Sequence, residues 1–398
     1  MEHDLSPEAN DLRDLVRAFL ERRSPESAVR QVVETGMGRD PEVWTQMAQQ
    51  LGLQGLLVPE ALGGQGTTFV ETSVVLEEMG RALLPGPFLS TAVLAVTAVR
   101  AAGDDPWGTQ LLAGIAAGET VAAVAFSEGL LCDPGESTVA ATRSGDGWVL
   151  DGGVDVVLDG QSADTLLVVA PAGDELGLFL VAGGADGVGR TPLAVLDLTR
   201  EAAQIELSGV GARRLGGDFR AAQRAVLAVG ASAMAAEMAG AVQRLLEMAV
   251  EYAKVREQFG RPIGSFQAVK HLCADIFAIA ESATAVARHA ARAVVDGSGA
   301  AEAASLAKAY TSDGCMQVAE MNIQVHGGIG FTWEHPAHLY LRRITSAAQY
   351  FGSAGHHRER LAELLGLAAA ASLDAREVSP AIGEPAGDLL GRGAIGVM

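Results

Sequence analysis

Gln324, His326 and three glycines, Gly327, Gly328 and Gly330, stand together in QVHGGIGFTWEHPAHLYLRR, residues 324–343, after a long helical pattern and ahead of aromatics and a run of base. Paired glycines leave a backbone bare enough to approach something bulky and polar. They serve equally well as a helix C-cap and tight turn at positive φ. Two charges raise a matching question. Set at roughly 100° per residue, Met234, Met238, Ala241, Leu245, Met248 and Tyr252 make one apolar face of a helix, with Gln243, Glu247 and Lys254 opposite. Arg256 falls within about 40° of the apolar centre and Glu237 about 60° from it. A charge on a buried face is costly unless paired. Arg256 is therefore either one half of a salt bridge at a helix end or a cation held for an anion, and Glu237 either snorkels to water or is kept dry for a purpose.

Other chemistry is excluded by spacing. No strand and no βαβ unit precedes the glycines, so they are not a Rossmann fingerprint. No His/Cys/carboxylate spacing suits a metal, no Ser/His/Asp elbow appears, and His356 and His357 beside Arg358 and Arg360 read as a solvated patch. Cys132, Cys273 and Cys315 lie far apart and read as buried, reduced core residues.

These groups must be held by a chain of 398 residues, nearly half of them apolar. The expected fold class is α+β, mostly α. Residues 1–118 show helical periodicity, as in Phe69, Ser73, Leu76 and Met79 with Val75 between them. Residues 119–216 change to a period of two in TVAAVAFS, GWVLDG, TLLVVAP and LGLFLVA, which predicts a small β-barrel or sandwich. Residues 217–370 return to three long helices and a shorter one, a four-helix bundle. Residues 371–398 form a Gly/Pro-containing tail, expected to be mobile or docked on a partner. The formal charge of −20 disfavours nucleic acid and anionic membranes as partners. No uninterrupted apolar run of the length of a membrane span occurs, and MEHDLSPEAN is no secretory signal, so a cytoplasmic location is expected.

Taken in order, these segments resemble the FAD-dependent acyl-CoA dehydrogenase family over residues 10–366. LGLQGLLVPEALGGQG is similar to its N-terminal helix and turn, and GRALLPGPFLSTAVLA to its actinobacterial branch, which includes heteromeric, steroid-degrading members. EYAKVREQFGRPIGSFQAVKH is similar to the family's Arg-x-x-Phe-Gly followed by Phe-Gln, and the opening stretch to its Gln-x-x-Gly-Gly-x-Gly. The resemblance implies that Arg256 reaches a neighbouring subunit's FAD pyrophosphate and Phe259 packs near its adenine. It also implies that Gln267 and Gln324 hydrogen-bond the dinucleotide, that Gly327 and Gly328 admit it, and that Ser127 contacts the flavin ring. It implies an acyl-CoA substrate, an electron-transfer flavoprotein or similar acceptor, and a homo-oligomer or heterotetramer. The reaction removes an α-proton with a carboxylate while hydride passes to flavin.

The sequence departs from the family twice. The base-carrying Tyr-Glu-Gly-Thr corresponds to YFGS at 350–353, where Phe351 replaces Glu, and the alternative base position falls at Gly230. Glu237 is the remaining candidate base. The ring-binding motifs are reduced to FSEGLLCDPGEST and VDVVLDG, with Val156 and Val157 in place of the aromatic, whereas the nucleotide-side motifs are intact. Two readings follow: a dehydrogenase with Glu237 as base, or a non-catalytic partner that completes a homologous chain's FAD site. A flavin monooxygenase or oxidase on the same fold is a third.

Overall fold

The computed structural model describes residues 5–126 and 138–367. Ser127, and most of the reduced motif around it, lies outside them, as does the tail expected over 371–398. The N-terminal part is helical: α1 (Pro7–Arg23), α2 (Glu26–Thr35), α3 (Pro41–Leu51) and α4 (Phe69–Ala82), a π-helix over Phe88–Ala95 that runs into α5 (Val96–Ala102), and α6 (Pro106–Ala116). Local chemistry sets the starts. Asp40 and Asp105 accept from first-turn amides with proline at the first helical position, and Thr68 and Glu71 form a reciprocal capping box on α4.

A mixed sheet follows: β1 (Ala122–Ala125), β2 (Val139–Ser144), β3 (Gly147–Leu158), β4 (Thr165–Ala172), β5 (Glu175–Ala182), β6 (Val188–Pro192) and β7 (Ala202–Leu215). The order is β1-β4-β5-β7-β3-β2, with β6 on β7; β1 runs parallel to β4 and the other pairs are antiparallel. The long β7, whose alternation is interrupted by Gly209 and Gly211, was not among the strand segments expected from periodicity.

The C-terminal part holds α7 (Arg220–Val255), a hairpin of β8 (Glu257–Gln258) and β9 (Arg261–Pro262), α8 (Gln267–Asp296), α9 (Ala300–His326), α10 (Ala337–Ala347) and α11 (Ala354–Leu364). The expectation of a single apolar face on α7 is corrected: every residue from Ala228 to Val242 is buried. The helix packs against α4, α5, the π-helix, α8, α9 and α10, which leaves these turns no solvated side. It has the length and apolarity of a membrane span, but 89% of that window is covered by the rest of the chain.

Glycine allows the closest of these contacts. A Cβ on Gly80 of α4 would fall on the carbonyl of Glu237, and one on Gly240 of α7 on the carbonyl of Glu77. Backbone therefore meets backbone where α4 crosses α7, at the level of Glu237. Arg17 to Glu78 (2.6 Å) and Arg288 to Glu77 (2.8 Å) fasten α4 to α1 and α8. Cys315 is buried as expected, Cys273 is half-buried, and neither forms a disulfide.

Candidate functional site

The two positions at which the resemblance would place a base meet each other. Phe351 is fully buried at φ 59°, a left-handed conformation that a bulky side chain rarely adopts, and its ring lies against Gly230. A Cβ on Gly230 would stand 2.6–2.9 Å from three ring atoms, so a side chain at 230 and an aromatic at 351 exclude one another. Neither residue can accept a proton. A cavity of about 330 Å³ opens elsewhere, lined by Arg17, Arg81, Arg244, Met248 and Tyr340 among others, and includes neither residue.

Glu237 is not a border residue, as its helical angle suggested; it is 4% exposed. Its carboxylate accepts from Arg200 and, at 3.3 Å, from Arg343. Arg200 lies 3.4 Å from Asp197, and Arg343 donates to Thr199 Oγ1 at 2.7 Å and Leu84 O at 3.3 Å. Burial alone would lower Arg200, but Glu237 and Asp197 more than offset it and leave the group above its ordinary value. Arg343 is held below its ordinary value by burial and by the adjacent Arg200. Glu237 is thus dry, as expected of a base from the sequence, and ion-paired as well. Both guanidiniums donate to the same oxygen, Oε2, so the carboxylate is tied into an ion-pair network through that atom. The network ties the β6–β7 connection to α7 and α10. Nothing in the periodicity marked Arg200 or Arg343; the available signal was Glu237 itself, a carboxylate on a helix whose burial required a cation.

The same junction is fastened a second time. Asp159, directly after β3 and left-handed at φ 54°, accepts from Ser90 Oγ of the π-helix at 2.5 Å. Thr91 exchanges bonds with Ala122 of β1 at 2.9 and 3.1 Å. Burial raises the Asp159 carboxyl to about 6. The folded state thus favours the protonated acid: its contribution is full below pH 3.8 and is lost as pH rises through about 6. Asp159→Asn keeps an acceptor for Ser90 and removes the charge. It is expected to raise stability by up to about 3 kcal/mol at pH 8 and by little at pH 4. Thermal unfolding of both proteins across that range checks this, and a pH-independent difference would contradict it.

The nucleotide-side residues collect at the opposite kind of surface. Because α7, α8 and α9 run alternately up and down, the end of α7, the start of α8 and the end of α9 coincide; Tyr252 and His326 stack there at 4.6 Å. Arg256 is not on the apolar face of α7. It is the extended residue that ends the helix, and it is exposed because the chain has already left the helical path. The β8–β9 hairpin folds back so that Ile263 N donates to Arg256 O at 2.7 Å. At its tip Phe259 is 92% exposed at φ 54°, edge-on to Phe266 at 6.0 Å. A phenylalanine both strained and exposed contributes little to the fold of this chain. Gln267 opens α8 and Gln324 lies in the last turn of α9, both exposed. Gly327 caps α9 at φ 63°, as the C-cap reading expected, and a Cβ on Gly327 or Gly328 would meet nothing within 4 Å, so the space over them is open to another molecule. Phe331 and Trp333, which follow, are 80% and 59% exposed.

The structure therefore brings Arg256, Phe259, Gln267, Gln324, Gly327 and Gly328 to one end of the bundle and holds Glu237 apart, in the closed junction with the sheet. Of the two histidines expected in a solvated patch, His357 is instead buried and donates to Phe351 O at 2.7 Å.

Comparison with known proteins adds the following. Residues 6–119 match the acyl-CoA dehydrogenase N-terminal domain and residues 217–366 the acyl-CoA dehydrogenase C-terminal domain. The chain is 32% identical to acyl-CoA dehydrogenase IpdE2 of Mycolicibacterium smegmatis over 90% of this chain and 98% of that one. It is similar to a chain of the ChsE4-ChsE5 complex from Mycobacterium tuberculosis (30% identity, TM-score 0.85, covering 92% of this chain and 99% of that one). It is also similar to one of a Tcur3481-Tcur3483 steroid ACAD variant (32%, TM-score 0.83, 91% and 99%).

Proposed function

The chain belongs to the acyl-CoA dehydrogenase family, FAD-dependent oxidoreductases that act on the CH–CH bond of acyl-CoA thioesters, and from that premise we propose that it is the companion subunit of such an enzyme. In this reading a homologous chain holds the flavin ring, the substrate and the base, and this chain closes over the nucleotide half of the cofactor. The observation that carries it is the pair Phe351 and Gly230: both positions available for a base lack an acid, and the ring of one fills the space of the other.

The nucleotide end fits a dinucleotide, with an exposed guanidinium, an exposed aromatic and a bare glycine turn at one place. Arg256 would hold the pyrophosphate through charge-assisted bonds, Phe259 would pack on the adenine, and Gln267, Gln324 and the amides near Gly327 and Gly328 would complete the contacts. Among the described residues the ring end gives no fit within this chain alone. Val157 is buried, Asp159 is joined to the π-helix, and Arg200, Glu237 and Arg343 close the junction beside them. Bound FAD supplies the hydride acceptor, and the homologous chain supplies proton removal. The assembly is a dimer of dimers in which electrons leave to an electron-transfer flavoprotein or similar acceptor. The paired names ChsE4-ChsE5 and Tcur3481-Tcur3483 support a two-chain assembly, and the latter's steroid designation supports a bulky acyl-CoA as substrate.

Purified alone and supplied with FAD, acyl-CoA thioesters and an artificial electron acceptor, the chain is expected to show no turnover. Sustained 2-enoyl-CoA formation by the isolated chain would overturn the reading.

A further inference from the structure

The turn that carries Phe351 is held from beneath by a residue the function has not used. Lys308, in α9, is entirely buried. Its Nζ donates to Ala348 O at 2.9 Å, Gly352 O at 3.0 Å and Ser312 Oγ at 2.9 Å. Ala348 is the residue that ends α10, and Gly352, at φ 100°, follows Phe351. The two carbonyls therefore bracket the left-handed residue, and His357 takes the carbonyl between them. A buried lysine is costly unless its donors are satisfied. Here two bonds go to backbone carbonyls and one to the Ser312 hydroxyl, at a turn that holds a left-handed phenylalanine against α7.

We propose that Lys308 is the positioning residue of the 348–352 turn: by gripping the carbonyls on both sides of residue 351 it fixes the backbone that aims side chain 351 at Gly230. The strain of a left-handed phenylalanine would otherwise relax toward negative φ and swing the ring out of the helix junction. Lys308 acts on the backbone, so it would aim whatever side chain stands at 351. In this chain that side chain is the ring that keeps the site closed. The consequence, though not the grip itself, rests on the companion-subunit reading.

A fluorinated phenylalanine placed at 351 in the full chain reports the ring directly by fluorine NMR. One buried, slowly reorienting resonance is expected in the otherwise unaltered chain. Lys308→Met should move it toward the frequency of an exposed ring while cooperative unfolding persists, and Lys308→Arg, which keeps donors at the same place, should restore most of the buried signal. An unchanged resonance in folded Lys308→Met would overturn the proposal. Should Lys308→Met fail to fold, amide exchange in the unaltered chain still decides. The proposal requires amides 350–353 to exchange at least about tenfold more slowly than the exposed β8–β9 hairpin, and equal rates would reject it. Neither readout involves turnover, so failure here leaves the companion-subunit reading standing, and turnover by the isolated chain would leave the grip of Lys308 intact.

Discussion

Glu237→Ala is expected to cost about 3–5 kcal/mol of stability, because it strips the carboxylate from two buried guanidiniums and leaves their charge uncompensated. Arg200 and Arg343 are 6% and 4% exposed, so water cannot replace the lost acceptor. Asp197, at 3.4 Å from Arg200, remains for one arginine only. Glu237→Gln should be milder, since its amide oxygen still accepts from one arginine. Replacing Arg343 by Met in the Glu237→Ala background should recover part of the loss, because a packed apolar pair avoids the desolvation of ions. Denaturant unfolding measures these differences. In the assembled enzyme, turnover per folded complex should be unaffected by Glu237→Gln. A sharp loss of turnover with FAD and fold retained would return Glu237 to the role of base.

Arg256→Ala is expected to weaken FAD binding by the assembled pair of chains by about 10- to 150-fold. That is the worth of a charge-assisted hydrogen bond, about 1.5–3 kcal/mol. The residue is exposed and ends its helix without an ion pair among the described residues, so the substitution should leave unfolding of this chain unchanged. Arg261 provides the control. It lies in the same hairpin but is stacked over Phe266, with its guanidinium 4.2 Å from the ring centroid, and Arg261→Ala should change affinity far less. Fluorescence titration of the stripped complex with FAD separates the two. Equal effects would reduce Arg256 to a general contribution of charge.

Much of this was legible in the sequence. Strong periodicity gave the helix–sheet–helix order, and glycine with an adjoining Gln and His gave the end of α9, since capping and turn chemistry are local. Phe351 at the position of a base was also readable. The environment of Glu237 was not. An angle on a helical wheel measures distance from one face, and α7 has no free face between Ala228 and Val242, where α4 approaches it closely enough to need Gly80 and Gly240. Arg256 escapes a helical wheel for the opposite reason: it lies one residue past the last helical turn, where the chain becomes extended. His357 read as solvated beside two arginines, but its burial depends on a turn whose conformation no local pattern specifies. Arg200 and Arg343 come from a loop and a short helix far apart in sequence, and only tertiary packing joins them.

The most direct test of the companion-subunit account is the flavin content of this chain purified alone and purified with a co-expressed homologous chain, from visible absorbance and native mass. The account predicts a colourless isolated chain and a yellow complex with one FAD for each pair of chains. An isolated chain that retains one FAD per subunit as a homo-oligomer would contradict it.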